Sequence, residues 1–296
     1  MNIMEISKRF NTQHKCIRHL EFLRWGKTPV CPYCASVQST RMKRENRHHC
    51  NACNSGFSVL IGTIFQDTNL KLSKWFMAIT LILNAKKGIS SRQLARDLCI
   101  NKNTAWLLQM RIRKAMRAEG GLLKGIVEID ETYVGGDIIN KTKKHRIDRH
   151  EGGKRITGYG DKTPVMGFIQ RSGSVIAQVL DKANLETIRP VISKWVDKDS
   201  TVITDGFGPY RWLVKEYKQH EVVNHEKDEF VRGDYHTNTI EGFWSLIKRS
   251  IVGQYHQISK KHMQSYFDEC AFKFNNRSNK SIFNEFMERA LGIKPT

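Results

Sequence analysis

Cys31, Cys34, Cys50 and Cys53 constrain the fold more than any other residues in the sequence. "CPYC" and "CNAC" read C-x2-C-x15-C-x2-C. At this spacing two knuckles close a tetrahedral thiolate site around one structural Zn²⁺. The segment between them is too poor in apolar residues to fold by burial alone, so metal has to supply what a core would. Four cysteines fill the coordination shell, and the expected work of the ribbon is scaffolding or DNA contact. His48 and His49, beside Cys50, are then expected at the surface. Arg41, Lys43, Arg44 and Arg47 lie between the knuckles, where they favour contact with phosphates. Cys16, Cys99 and Cys270 make the count odd, which argues against a disulfide framework; they are expected as small buried side chains.

Charge narrows the partner. Lys+Arg number 49 against 29 Asp+Glu, a formal net charge of +20. Such a balance calls for a polyanion, nucleic acid before an anionic membrane surface. No apolar run approaches the ~20 residues of a spanning helix, and the first residues lack a signal-peptide core. A cytosolic protein is expected, with no membrane partner. At 296 residues the chain has room for two or three domains.

A short helical lead-in, "CIRHLEFLRWG", precedes the cysteines. Between 72 and 118 three helical patterns follow. "SSRQLARDL", opened by Ser90 or Ser91, and "NKNTAWLLQMRIRKAM", opened by Asn101 or Asn103, flank the turn "CIN". This resembles a helix-turn-helix, in which the second helix enters the major groove. Its first residues, Lys102, Asn103 and Thr104, can all hydrogen-bond to DNA.

Beyond Gly120-Gly121 strand patterns take over. "GIVEIDETYV" places Val127 and Ile129 on one face, Glu128 and Asp130 on the other. "PVMGFIQ" and "SVIAQVL" read as paired strands around Arg171-Ser172-Gly173. "NLETIRPVISKWV" is an amphipathic helix that Pro190 is expected to kink or delay. "STVITDG" is a short strand, "YRWLVKEY" a helix and "HEVVNH" a last strand. From Thr237 the pattern is helical to the end. The stretch 141–162 carries eight Lys/Arg and reads as a loop ordered by DNA.

Asp130 sits within a strand, a costly position for an unpaired charge. Asp205 ends "TVITDG". On a helix from Thr237, the residues Asn238, Glu241, Ser245 and Lys248 share one polar face, while Ile240, Phe243, Ile247 and Ile251 can bury. Thirty-five residues separate Asp205 from Glu241, and Lys248 lies seven beyond.

That spacing resembles the D…D-35-E pattern of transposases and retroviral integrases. With the cysteine ribbon in front, "IDETYVGG", "ITDGFGPY" and "HTNTIEGFWSLIKRSIVGQYHQIS" look like bacterial insertion-sequence transposases of the zinc-ribbon DDE type. The resemblance covers nearly the whole chain. It implies a zinc ribbon with its lead-in over 1–70, a helix-turn-helix region over 71–120, and an α/β RNase H-like catalytic core over 121–296. It implies that Asp130, Asp205 and Glu241 hold two catalytic Mg²⁺ or Mn²⁺ ions, with Asn238 a possible neighbour at the third position. Lys248 would contact DNA near the scissile phosphate, with Arg249 beside it. The implied partner is double-stranded DNA, at transposon ends and target, bound by a homodimer or larger assembly in the cytoplasm at the nucleoid. Three rival readings share parts of this pattern. They are a metal-dependent nuclease or resolvase, a catalytically inactive DNA-binding regulator, and a zinc-ribbon RNA-binding protein.

Overall fold

The computed structural model describes residues 2–42, 45–118, 120–135, 162–223, 231–232 and 235–293. Lys43, Arg44 and all of the basic stretch 141–162 except Lys162 lie outside the described residues. The chain divides into two compact units, Met1–Arg117 with Asn276–Thr296, and Ala118–Asn275.

The first unit opens with α1 (Ile3–Arg9) and α2 (Gln13–Trp25). A three-stranded antiparallel sheet follows, of β1 (Ser39–Met42), β2 (Arg47–Cys50) and β3 (Gly56–Phe57). Then come α3 (Leu72–Asn84), α4 (Ser91–Leu98) and α5 (Lys102–Ala115). Both helices of the expected helix-turn-helix are capped as their sequences predict. The Ser90 hydroxyl accepts from the Gln93 N–H at 3.2 Å, and the Asn101 side chain from the Asn103 N–H at 2.8 Å. Leu94, Ala95 and Leu98 are buried. Cys99 closes α4 in the left-handed conformation and is exposed, which corrects its expected burial; Cys16 and Cys270 are buried.

The second unit is built on a mixed sheet. Its elements are β4 (Ile126–Val134), β5 (Thr163–Gln170), β6 (Val175–Val179), α6 (Leu185–Trp195), β7 (Thr201–Thr204), α7 (Leu213–Glu216) and β8 (Gln219–Val222). After them come the two-residue strands β9 (Val231–Arg232) and β10 (Tyr235–His236), then α8 (Asn238–Ser250) and α9 (Met263–Asn275). The five long strands run in the order β6-β5-β4-β7-β8. The β4–β5 and β5–β6 pairs are antiparallel, while β7 pairs parallel with β4 and with β8. Three strands of meander followed by two parallel strands reached through a helical crossover is the RNase H-like arrangement.

The alternation read from the sequence sorts the two faces. Val127 and Ile129 pack with Ile188, Ile192 and Trp195 of α6 on one side. On the other side, residues of α8 and α9 such as Ile240, Phe243, Trp244 and Phe267 pack on Val165, Ile169 and Val175. The outer edge at β6 is closed by side-chain amides of α9: Gln264 accepts from the Val179 N–H at 2.8 Å, and Asn275 from the Val175 N–H at 2.7 Å. Paired in this way, the edge offers fewer free backbone groups to another chain.

Helix α6 runs through Pro190 without a break, its start fixed by a capping box from Asn184 and Thr187. The expected continuous helix after Thr237 is interrupted. A π-helical turn spans Ile251–Tyr255, His256 takes φ +58°, and α9 begins only at Met263. The last helix, α10 (Ile282–Ala290), packs on α2, α3 and α5 within the first unit. Among the described residues no helix is long and apolar enough to cross a membrane.

Candidate active site

The parallel pairing of β4 with β7 decides where the acids meet. Glu128 lies opposite Ile203 in this register, so Asp130 and Asp205 leave neighbouring strands at the same end of the sheet. Oxygens of Asp130, Glu131 and Asp205 lie within 4.8 Å of one another. Strand alternation turns Glu131 to the opposite face from Asp130. The structure nonetheless brings its carboxylate to the same cluster, where the buried Tyr210 hydroxyl donates to it at 2.5 Å. The Phe207 N–H donates to Asp205 at 3.1 Å, so the "DGFGPY" turn holds two of the three acids.

Helix α8 lies over this cluster. One turn beyond Glu241, the Trp244 indole N–H donates to Asp130 at 2.9 Å. Glu241 itself is exposed and accepts from the Thr237 hydroxyl at 2.9 Å. It is not one of the acids whose oxygens meet within 4.8 Å, yet its charge acts on Asp130. Asn238, Ser245 and Lys248 are exposed like Glu241, as the helical period predicts, and Arg249 is exposed beside them.

Burial and the neighbouring carboxylates both weigh against the charged forms of Asp130 and Glu131. Burial first, then the Asp205 charge, pushes the Asp130 carboxyl up to about 6, against the Trp244 hydrogen bond; Glu241 adds to the rise. Burial likewise raises Glu131 to about 7, opposed by Tyr210 and reinforced by Asp205 and Asp130. Tyr210 is held well above its ordinary range by burial and by the adjacent Glu131. A divalent cation among these oxygens would relieve the repulsion, and hard oxygen donors suit Mg²⁺ or Mn²⁺.

Residues 122–275, just over half the chain, match the family model of the ISXO2-like transposase domain. The chain belongs to the ISXO2-like transposase family. Residues 11–55 match the transposase zinc-ribbon domain. An "uncharacterized protein in transposable element ISH50" of Halobacterium salinarum is 29% identical over 268 residues, 88% of this chain and 90% of that protein. An "uncharacterized transposase-like protein" of Haemophilus influenzae is 33% identical over 107 residues, 36% of this chain and 85% of that one. Among solved structures, the Mos1 strand transfer complex matches 75% of this chain and 78% of that chain at 14% identity and a TM-score of 0.30.

The transposase ribbon has the geometry its cysteines predict. The sulfurs of Cys31 and Cys53 are 3.7 Å apart, and those of Cys34 and Cys50 are 3.6 Å apart. A tetrahedron with Zn–S bonds of ~2.3 Å has edges of about 3.8 Å. The four thiols therefore fit one zinc ion.

His48 is not at the surface. It is buried, stacked on Phe57 with ring centroids 5.5 Å apart, and its Nε2 lies 3.0 Å from Glu21 on α2. Arg41 donates to the other oxygen of Glu21 at 2.8 Å, so this arginine braces the ribbon against α2. Lys102, Asn103 and Thr104, expected at the start of the second helix of a helix-turn-helix, are exposed along the first turn of α5.

Proposed function

We propose that this transposase binds the terminal repeats of its element, cleaves DNA at the ends and joins the freed 3′ ends to target DNA by phosphoryl transfer. The observation that carries the reading is the convergence of Asp130 and Asp205 from neighbouring parallel strands, with Glu131 drawn into the same cluster. Two Mg²⁺ or Mn²⁺ ions at such a site would activate an attacking oxygen and stabilise a leaving one.

Asp130, Asp205 and Glu241 are assigned as the ion-holding acids. Glu131 is a further donor, and Asn238 a neighbour on the exposed face of α8. Water is the nucleophile in cleavage, and the freed 3′-hydroxyl in joining. Lys248 and Arg249, exposed on α8 beyond Glu241, meet the phosphate backbone of the bound DNA. Lys102, Asn103 and Thr104 read the ends, and one structural Zn²⁺ sits in the ribbon. The functional division follows the sequence: binding by 1–70 and 71–120, catalysis by 121–296. Double-stranded DNA is the partner, held by a homodimer or larger assembly in the cytoplasm at the nucleoid. The +20 charge and the names of the relatives, one from a transposable element and one transposase-like, support this reading.

The test is an end-labelled terminal-repeat DNA incubated with the protein, a target plasmid and Mg²⁺ or Mn²⁺. Labelled ends covalently joined to the plasmid are expected. A nuclease or resolvase would cut without joining, and a DNA-binding regulator would do neither.

A further inference from the structure

Glu128 is wholly buried and stands two residues before Asp130 on the same face of β4. Its carboxylate accepts from the backbone N–H groups of Thr239 and Ile240, each at 3.1 Å, and from the Thr239 hydroxyl at 2.9 Å. Those amides belong to the first turn of α8, where N–H groups have no partner within the helix. Thr237, the residue at the N-cap position, makes no side-chain cap; its hydroxyl donates to Glu241 instead. We propose that Glu128 is the cap of α8, supplied from the sheet 111 residues away, and that it is a positioning residue for Glu241.

Geometry gives this cap a specific consequence. One strand holds α8 at two points that bracket Glu241: Glu128 binds residues 239 and 240, and Asp130 binds Trp244. With both in place, Glu241 can neither slide along the sheet nor rotate away from Asp130. The helix dipole favours an anion at this end. Two further side chains face the same carboxylate: Arg171, from the turn between β5 and β6, donates at 3.3 Å, and Nδ1 of His236 on β10 lies 3.5 Å away. A buried carboxylate serving only the core would not need to reach the amides of the helix that bears Glu241.

The inference rests on the assignment of Asp130, Asp205 and Glu241 as ion-holding acids, so its test does not use transposition. In the full chain, Glu128→Gln keeps the side-chain volume but leaves one oxygen to accept where two did. Hydrogen exchange at the Thr239 and Ile240 amides is expected to speed up at least about tenfold, the loss of a strong cap. The Mn²⁺ affinity of the acid cluster, measured by calorimetry, is expected to fall several-fold, while the affinity for terminal-repeat DNA without metal stays unchanged. Thr239→Val removes only the hydroxyl donor and serves if Glu128→Gln does not fold; a smaller change of the same sign is expected in both readouts. Unchanged amide exchange in the folded variant would overturn the cap. Faster exchange with unaltered Mn²⁺ affinity would overturn the positioning role. If wild-type protein joins no DNA, the proposed function fails, and these two readouts still decide the role of Glu128.

Discussion

Trp244 and Asp130 are 114 residues apart in the chain and meet through one hydrogen bond of 2.9 Å, indole N–H to carboxylate. That bond opposes the rise that burial and Asp205 impose on the Asp130 carboxyl. It also ties the helix carrying Glu241 to the strand carrying Asp130. Replacing Trp244 with Phe keeps most of the ring and removes the donor. The Asp130 carboxyl should then rise further above about 6, and half-maximal cleavage should need several-fold more Mg²⁺. Stability should fall by about 1–3 kcal/mol, the cost of an unmade bond to a buried charged group. A metal titration of cleavage, beside thermal unfolding, checks both.

Asp130 lies opposite Gly167 on β5, and the same tryptophan covers that glycine. A Cβ at Gly167 would come within 2.7 Å of Trp244 Cη2, closer still to Cζ2, and within 2.9 Å of Ile240 Cδ1. Gly167→Ala should destabilise the second unit by about 1–3 kcal/mol through overpacking. It should also displace the indole from Asp130. The double variant with Trp244→Phe should cost less than the sum of the two, because both act on one contact; unfolding of all three chains measures this.

The acid cluster makes metal-free stability depend on pH. Asp130 and Glu131 titrate higher in the folded chain, at about 6 and about 7, than their ordinary values of 3.8 and 4.5. The folded chain therefore binds more protons than the unfolded chain between pH 4 and 7, and stability falls as pH rises through that window. The loss is on the order of 3 kcal/mol for each acid taken alone. Mg²⁺ or Mn²⁺ should offset it at neutral pH by binding only the folded chain. Thermal unfolding from pH 4 to 8, with and without the cation, should show curves that diverge above pH 6.

In the ribbon, Cys50→Ser should remove the bound zinc, one ion per chain, because three thiolates and a hydroxyl no longer make a stable shell. Cys50 is buried in the small cluster with Cys31 and Phe57, so the ribbon should unfold with it. Metal analysis of purified protein and binding to terminal-repeat DNA are the measurements, and both should drop together.

Local patterns carried much of this structure, and long-range pairings did not. The strand faces around Asp130 follow from simple alternation, and the starts of α4 and α5 from Ser90 and Asn101. The four cysteines declare a metal site by spacing alone. Glu131 could be seen beside Asp130 but given no role, since alternation turns neighbours to opposite faces; its carboxylate meets those of Asp130 and Asp205 just past the end of β7. Glu128 escaped because its partners, Thr239 and Ile240, lie 111 and 112 residues on. His48 looked like a surface residue because Glu21, the acid that lets it be buried, sits 27 residues earlier on a helix. The break after α8 turns on a π-helical segment and on the positive φ of His256, which helical periodicity does not reveal.

Asp130 and Asp205 are proposed to act as one ion-holding unit that cuts and joins DNA. Its most direct measurement is strand transfer of end-labelled terminal-repeat DNA by wild type, Asp130→Asn, Asp205→Asn and the double variant, in Mg²⁺ and Mn²⁺. Each single change should abolish cleavage and joining, the double change should be no worse than either, and terminal-repeat binding should be equal to wild type or tighter. Joining at the wild-type rate by either single variant would show that the two acids are not that unit.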